Sequence, residues 1–188
     1  MTTDISIASN ALVLIGEDAI QSLDSDVAAS NLYSRAYQGL LADHPWSFAM
    51  KEETLSRNSA SPDQLTGYQY SYNLPSDLIR IWKLMPFGDY ELVGNGLNSN
   101  DSSVRLRYVY KTSETNLPPS FIEALEYKLA SEFAMSVTED LSRAQWANQK
   151  YMAARSKARF IDSQGSPQVG IQHSPLSGSA MGGGRGYI

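Results

Sequence analysis

Apolar side chains recur at steps of three and four in four stretches of the chain, and at steps of two between the second and third of these. In the first stretch, Ile5, Ala8, Leu12 and Ile15 fall on one helix face. Thr3 or Asp4 can cap its free N–H groups and Gly16 ends it, which predicts a helix over residues 4–15. The second stripe, Ala29, Leu32, Tyr33, Ala36, Leu40 and Leu41, predicts a helix over residues 26–43. Pro45 stops it by pushing His44 out of α geometry.

The middle of the chain alternates instead. Trp46, Phe48 and Met50 predict a strand that runs on through residues 51–55, and Tyr68, Tyr70 and Tyr72 alternate with polar residues as on a half-buried pleated surface. Pro75-Ser76-Asp77 forms a turn before an extended apolar run over 78–84. Two more strands are expected at 91–93 and 104–110, with residues 94–101 as a flexible polar loop between them. Residues 46–112 therefore predict a small antiparallel β element inserted between helices.

Helix returns after Pro118-Pro119, where Ser120 and Glu123 have the spacing of a capping box. Ile122, Leu125, Leu129 and Phe133 give the helix at 120–137 a broad apolar face. After a break at Thr138-Glu139-Asp140, a fourth helix over 140–162 has a thinner face of Leu141, Ala144, Trp146, Tyr151, Met152, Ala158 and Ile161. Such a helix is expected to pack by one side and leave a charged side free.

Residues 164–188 change character: seven of them are glycine, and sizeable apolar groups are scattered. Ordering a backbone costs about 1–2 kcal/mol per residue, which a few side chains at about 1.5–3 kcal/mol each do not offset. The segment is expected to be disordered or held by another surface, with a reach on the order of 80 Å. The expected fold is mainly α with an inserted small antiparallel β element: a helical bundle over residues 1–163, plus an extended C-terminal arm over 164–188.

Charge narrows the function classes. The 188 residues hold 15 Lys and Arg against 20 Asp and Glu, a net charge of −5 with a pI near 5.0. This argues against a free-standing nucleic-acid binder, which needs a basic face. The distribution is uneven. Residues 1–50 carry six acids (Asp4, Glu17, Asp18, Asp24, Asp26, Asp43) against Arg35, whereas residues 140–160 carry Arg143, Lys150, Arg155, Lys157 and Arg159 against Asp140. The two segments can meet within one subunit or across copies, so these five cations are candidate subunit-interface residues. Without cysteine, disulfides and thiolate chemistry are excluded. No apolar run approaches the roughly 20 residues that cross a bilayer, and residues 1–4 lack a basic leader. A soluble protein that stays where it is made is expected.

Candidate chemistry is sparse. The two histidines, His44 and His173, belong to no ligand pair, and no GxSxG elbow supports a serine triad. Gly94-Asn95-Gly96 is no dinucleotide fingerprint, because Ser99 stands at the third glycine position. No catalytic residue, metal site or cofactor is expected. Tyr68, Tyr70, Tyr72, Trp82, Tyr108 and Tyr110 could stack bases, but without a basic groove they read as sheet or interface packing.

Ala11-Leu12-Val13-Leu14-Ile15-Gly16, followed by Ile20-Gln21-Ser22-Leu23-Asp24, resembles the opening of the head-to-tail adaptor proteins of short-tailed phages, also called tail tubular protein A. Leu41-Ala42-Asp43-His44-Pro45-Trp46-Ser47-Phe48-Ala49 is similar to that family's HPWNFA-like segment, with Ser47 where Asn is common. Tyr70-Ser71-Tyr72-Asn73-Leu74-Pro75-Ser76-Asp77-Leu78-Ile79-Arg80 resembles its Y-x-Y-x-LP-x-D-x-x-R stretch, and Phe121, Ala124, Leu129 and Ala130 fit its next helix. The ordered set spans residues 5–160.

The resemblance implies a noncatalytic virion protein made in the host cytoplasm. It implies a dodecameric ring beneath the portal protein, which extends the channel for double-stranded DNA without sequence recognition. The ring would present a platform to a tail nozzle or tail tube, with no membrane partner. It also implies a C-terminal arm that grips the portal, here residues 164–188; of that arm, Ile171, Leu176, Tyr187 and Ile188 are expected to enter portal grooves and Arg185 to meet a carboxylate. Twelve weak arms on one ring add up to strong attachment. The alternatives are a peptidoglycan hydrolase (muramidase), which zymography would reveal, and a nucleic-acid-binding module using the aromatic sheet.

Overall fold

The computed structural model describes residues 3–22, 27–58 and 67–165. Its elements run α1 (Asp4–Leu14), α2 (Val27–Asp43), β1 (Met50–Thr54), β2 (Tyr70–Asn73), β3 (Leu78–Met85), β4 (Tyr90–Val93), β5 (Gly96–Ser99), β6 (Arg105–Tyr110), α3 (Pro119–Ser136) and α4 (Leu141–Gln164). The architecture is mixed α/β: four helices, with two small antiparallel sheets inserted between the second and third. The expected insertion is present, but a simple helical bundle does not describe a chain with two sheets and two cores.

Local signals set the helix ends. Thr3 caps α1 through a capping box with Ser6. At its other end Gly16 takes φ +84, while the N–H groups of Gly16 and Glu17 return to the carbonyls of Val13 and Leu12. That pair of bonds closes the helix and requires the left-handed conformation that glycine adopts freely. α2 stops at Asp43, before Pro45. The Ser120–Glu123 capping box does not form: Pro119 occupies the first helical position, Pro118 becomes the N-cap, and no side chain caps the end. Pro119 has no N–H to satisfy, and Glu123 turns to Lys157 instead. Asp140 caps α4 by accepting from the N–H groups of Ser142 and Arg143.

The first sheet has the strand order β1-β6-β3 and the second β2-β5-β4, all antiparallel. Residues 94–101 are not one loop: a strand occupies the middle of the segment. Gly94 and Asn95 make a two-residue hairpin turn with Gly94 at φ +57, and Gly96–Ser99 follows as the central strand of the second sheet. The strand expected from Trp46 onward begins only at Met50, because Ser47–Ala49 forms a 3₁₀ turn.

β6 joins the two cores. Val109 faces a helical core built from α1, α2, α3, α4, Trp46 and Ala49, while its neighbours Leu106 and Tyr108 face a second core with Leu55, Tyr72, Leu84, Leu97 and Val104. The period of two along a strand makes this possible. α3 is the hub of the helical part, packing on α1, α2 and α4.

α4 differs from expectation in which residues it buries. Of the expected face, Ala144 and Ala158 are buried and Tyr151 packs against the core, joined by Ala147 and Ala154, whereas Leu141, Trp146, Met152 and Ile161 are exposed. Small side chains let α4 lie close on α3, which leaves the bulky ones outside.

Candidate functional site

The end of α2 and the end of α4 meet in a compact polar joint. The guanidinium of Arg155 donates two hydrogen bonds to the Asp43 carboxylate. Arg159 Nη2 donates to the Asp43 carbonyl at 2.9 Å and lies 2.8 Å from its carboxylate. Burial pushes the Asp43 carboxyl up, but the Arg155 hydrogen bonds and the Arg159 charge outweigh it and hold the group below the usual carboxylate value. One turn along α4, Asp162 accepts from the Ser47 N–H at 3.0 Å and from the Ser47 hydroxyl at 2.6 Å, with His44 Nε2 at 3.3 Å.

Serine, histidine and aspartate thus come together, but not in a catalytic order. A triad needs the imidazole between hydroxyl and carboxylate to relay the proton. Here the Ser47 hydroxyl is committed to Asp162, and the carboxylate sits between the other two. The arrangement fastens 3₁₀ turn to helix. Burial and the Arg159 charge together outweigh the Asp162 carboxylate and hold the His44 ring below the usual histidine value, which favours the neutral form at pH 7. A histidine pKa depressed by folding gives stability that is full above about 6.5 and lost as pH falls through the folded value. Melting temperature is therefore expected to fall between pH 7 and pH 5.5, and His44→Gln to flatten that slope. An unchanged slope would assign it to other groups.

The remaining candidate cations are placed as follows. Arg143 donates to the Ile15 carbonyl at the C-terminal end of α1, and lies 3.3 Å from Asp140 and 4.0 Å from Glu17. Lys157 meets Glu123 at 2.9 Å. Lys150 is exposed, with no hydrogen bond or ion pair among the described residues. Four of the five cations are thus used within the chain, and the acidic and basic segments do meet inside one subunit. The arm candidates Ile171, Leu176, Arg185, Tyr187 and Ile188 lie outside the described residues, as do His173, Asp24 and Asp26.

The motif over residues 70–80 also serves as framework. Asp77 receives the Tyr108 hydroxyl at 3.1 Å and the Lys51 ammonium, and its carbonyl receives the Lys111 N–H. Burial raises the Asp77 carboxyl, and the Lys51 and Tyr108 hydrogen bonds bring it below the ordinary value. Arg80 donates to the Ala42 carbonyl at 2.8 Å, tying β3 to α2. Of the aromatic set, Tyr72 and Tyr108 are buried, while Tyr70 and Tyr110 lie beneath Arg57 and Lys51. Tyr68 is half-buried, and Trp82 is exposed with the Arg80 guanidinium over its ring, so most of this set packs the sheets.

The exposed large apolar residues form two sets. One runs from β3 to β4: Trp82, Met85, Phe87, Tyr90, Leu92 and Val93, with Phe87 75% exposed. The other lies on the helical part: Val13, Met135, Val137, Leu141, Trp146, Met152, Phe160 and Ile161. The first set was not anticipated, although Phe87 after Pro86 is an apolar residue without periodic partners in the sequence. A cleft of about 280 Å³ opens near the second, floored by Leu12, Ile20, Leu32 and Phe133 and rimmed by Glu17 and Asp18. Among the described residues no group of three or more acids and histidines converges as a metal site, and no helix is long and apolar enough to cross a membrane. Comparison with known proteins finds no matching family model and no matching curated sequence.

Proposed function

We propose that this chain is a structural head-to-tail adaptor of a short-tailed phage. In this reading a ring of copies, a dodecamer, sits beneath the portal protein in the virion, continues the DNA channel and carries a tail nozzle or tail tube. The observation that carries it is the presence of two groups of exposed large apolar residues, one on the sheets and one on the helices. Exposed apolar groups on this scale mark contact surfaces. A subunit that closes a ring and also bridges two further components needs several different ones.

The residues behind the resemblance support the same reading. Asp43, His44, Trp46, Ser47, Asp77 and Arg80 all join one element to another. The motifs therefore describe a scaffold and leave the contacts to its surfaces. Residues beyond α4 would act as the portal-gripping arm.

α4 extends through Gln164, and Asp162 holds Ser47, so the informative cut falls after Gly165. Removing residues 166–188 is expected to leave the melting temperature within about 2 °C and to abolish co-sedimentation with the cognate portal. Undiminished attachment would refute the arm's role.

A further inference from the structure

α4 has one side without a partner among the described residues. Opposite its buried alanines, at steps of four and three, stand Gln145, Gln149, Met152, Ser156 and Phe160, with Ala153 beside them; all are exposed. This side carries no charge along a 24-residue helix, a length of about 36 Å. A helix face that stays in water ordinarily holds the charged residues. On α4 they occupy the flanks: Arg155 and Arg159 on one edge, turned to Asp43, and Lys150 and Lys157 on the other. The neutral face includes Phe160 at 66% exposure and Met152 at 53%.

We infer that a second copy of this chain covers the neutral face of α4 in a head-to-tail contact, through the end of its α1 around Val13 and Asp18. The proposal rests on the ring reading above and names the contact that would build the ring.

Charge selects the occupant. α4 holds five cations and a single acid, Asp162, so two α4 helices laid together across a two-fold axis would oppose like charges. Of the six acids in residues 1–50, Asp43 and Glu17 already face Arg155, Arg159 and Arg143 within the chain and Asp24 and Asp26 lie outside the described residues, which leaves Asp4 in the first turn of α1 and Asp18 just beyond its end. Val13 is 57% exposed at the end of α1, and nearby Asp18 is exposed with no hydrogen bond or ion pair among the described residues. Val13 suits Met152 and Ala153, and Asp18 suits Lys150. Area then explains why such a contact serves a ring. Even the whole strip, about 36 Å by 10 Å, would bury no more than about 360 Å² per copy, and the end of α1 covers only part of it, below the roughly 800 Å² per partner of a stable pair. It holds when each subunit makes it twice and closure makes the last contact intramolecular.

The cysteine-free sequence permits a direct test. Val13→Cys and Ala153→Cys are made as separate full-length proteins and treated with a short bis-maleimide, alone and mixed. The mixture is expected to give at least tenfold more covalent dimer than either protein alone. Ala153→Cys linking to itself as well as the mixture does would overturn the head-to-tail contact, and so would the absence of linkage up to millimolar protein. Lys150→Glu and Asp18→Lys should each weaken self-association several-fold, and the double variant should restore it; no restoration overturns the pairing. Light scattering on the unmodified chain separates the two readings. A multimer without the 13–153 link leaves the ring standing and removes this contact, whereas a chain that stays monomeric at every concentration removes both.

Discussion

Trp46→Ala is expected to lower the unfolding free energy by about 3–5 kcal/mol, the range for deleting a fully buried large aromatic side chain. The indole is 1% exposed. It meets Phe121 edge-on at 5.0 Å and His44 at 4.9 Å, and its Nε1 donates to the Leu40 carbonyl at 2.9 Å. Its loss would open a cavity where α2, α3 and the entry to the sheets converge. Against a typical domain stability of about 5–15 kcal/mol, the variant would be marginal at 37 °C. Trp46→Phe keeps an aromatic body and leaves the Leu40 carbonyl without its donor, so a smaller loss of about 1–2 kcal/mol is expected. Urea titration followed by circular dichroism measures both. A Trp46→Ala loss under 1 kcal/mol would mean that the indole is not part of the core.

The second large effect belongs to Asp43. Asp43→Ala leaves Arg155 and Arg159 side by side with no counter-charge, and the Arg159 Nε is already buried without a hydrogen-bond partner. Breaking a fully buried pair costs about 3–5 kcal/mol. The Asp43 side chain is 24% exposed and Arg159 34% exposed, and solvent screening brings the expectation down to about 2 kcal/mol. The pH dependence has a definite sign. A carboxyl whose pKa is depressed by folding contributes fully above its unfolded value and loses that contribution as pH falls through the folded one. The gap between wild type and Asp43→Ala should therefore be constant from pH 5 to 7 and narrow below about pH 4. A gap that widens in acid would contradict the pairing.

How far the sequence could be read depended on which signals were local. The ends of α1 and α2 follow from Thr3, Gly16 and Pro45, whose effects act within a few residues. β5 could not be found this way. Gly96-Leu97-Asn98-Ser99 offers one large apolar residue, and it becomes a strand because β2 and β4 flank it on both sides. The alternation of Trp46, Phe48 and Met50 suggested a strand, but Trp46 is claimed by the helical core and a 3₁₀ turn results.

The α4 error was one of weighting. Ala144 and Ala158 belong to the expected face, but Ala147 and Ala154 share their helical spacing and are buried in place of Leu141, Trp146, Met152 and Ile161, whose bulk favours burial on area alone. Close approach to α3 reversed that preference. The pairing of Arg155 and Arg159 with Asp43 joins residues more than a hundred positions apart, and only the opposite charge of the two segments hinted at it. The candidate arm residues belong to 166–188, outside the described part of the chain.

Asp162 stands three residues before the last described position, and it grips the turn that follows α2. A pull on the chain beyond Gly165 would therefore reach the body of the protein within one helical turn. The load would divide between the backbone of α4 and the Ser47 contact, with the Arg155 and Arg159 bonds to Asp43 a turn behind. Several links spaced along one helix end would share such a load, so no single bond would carry it alone.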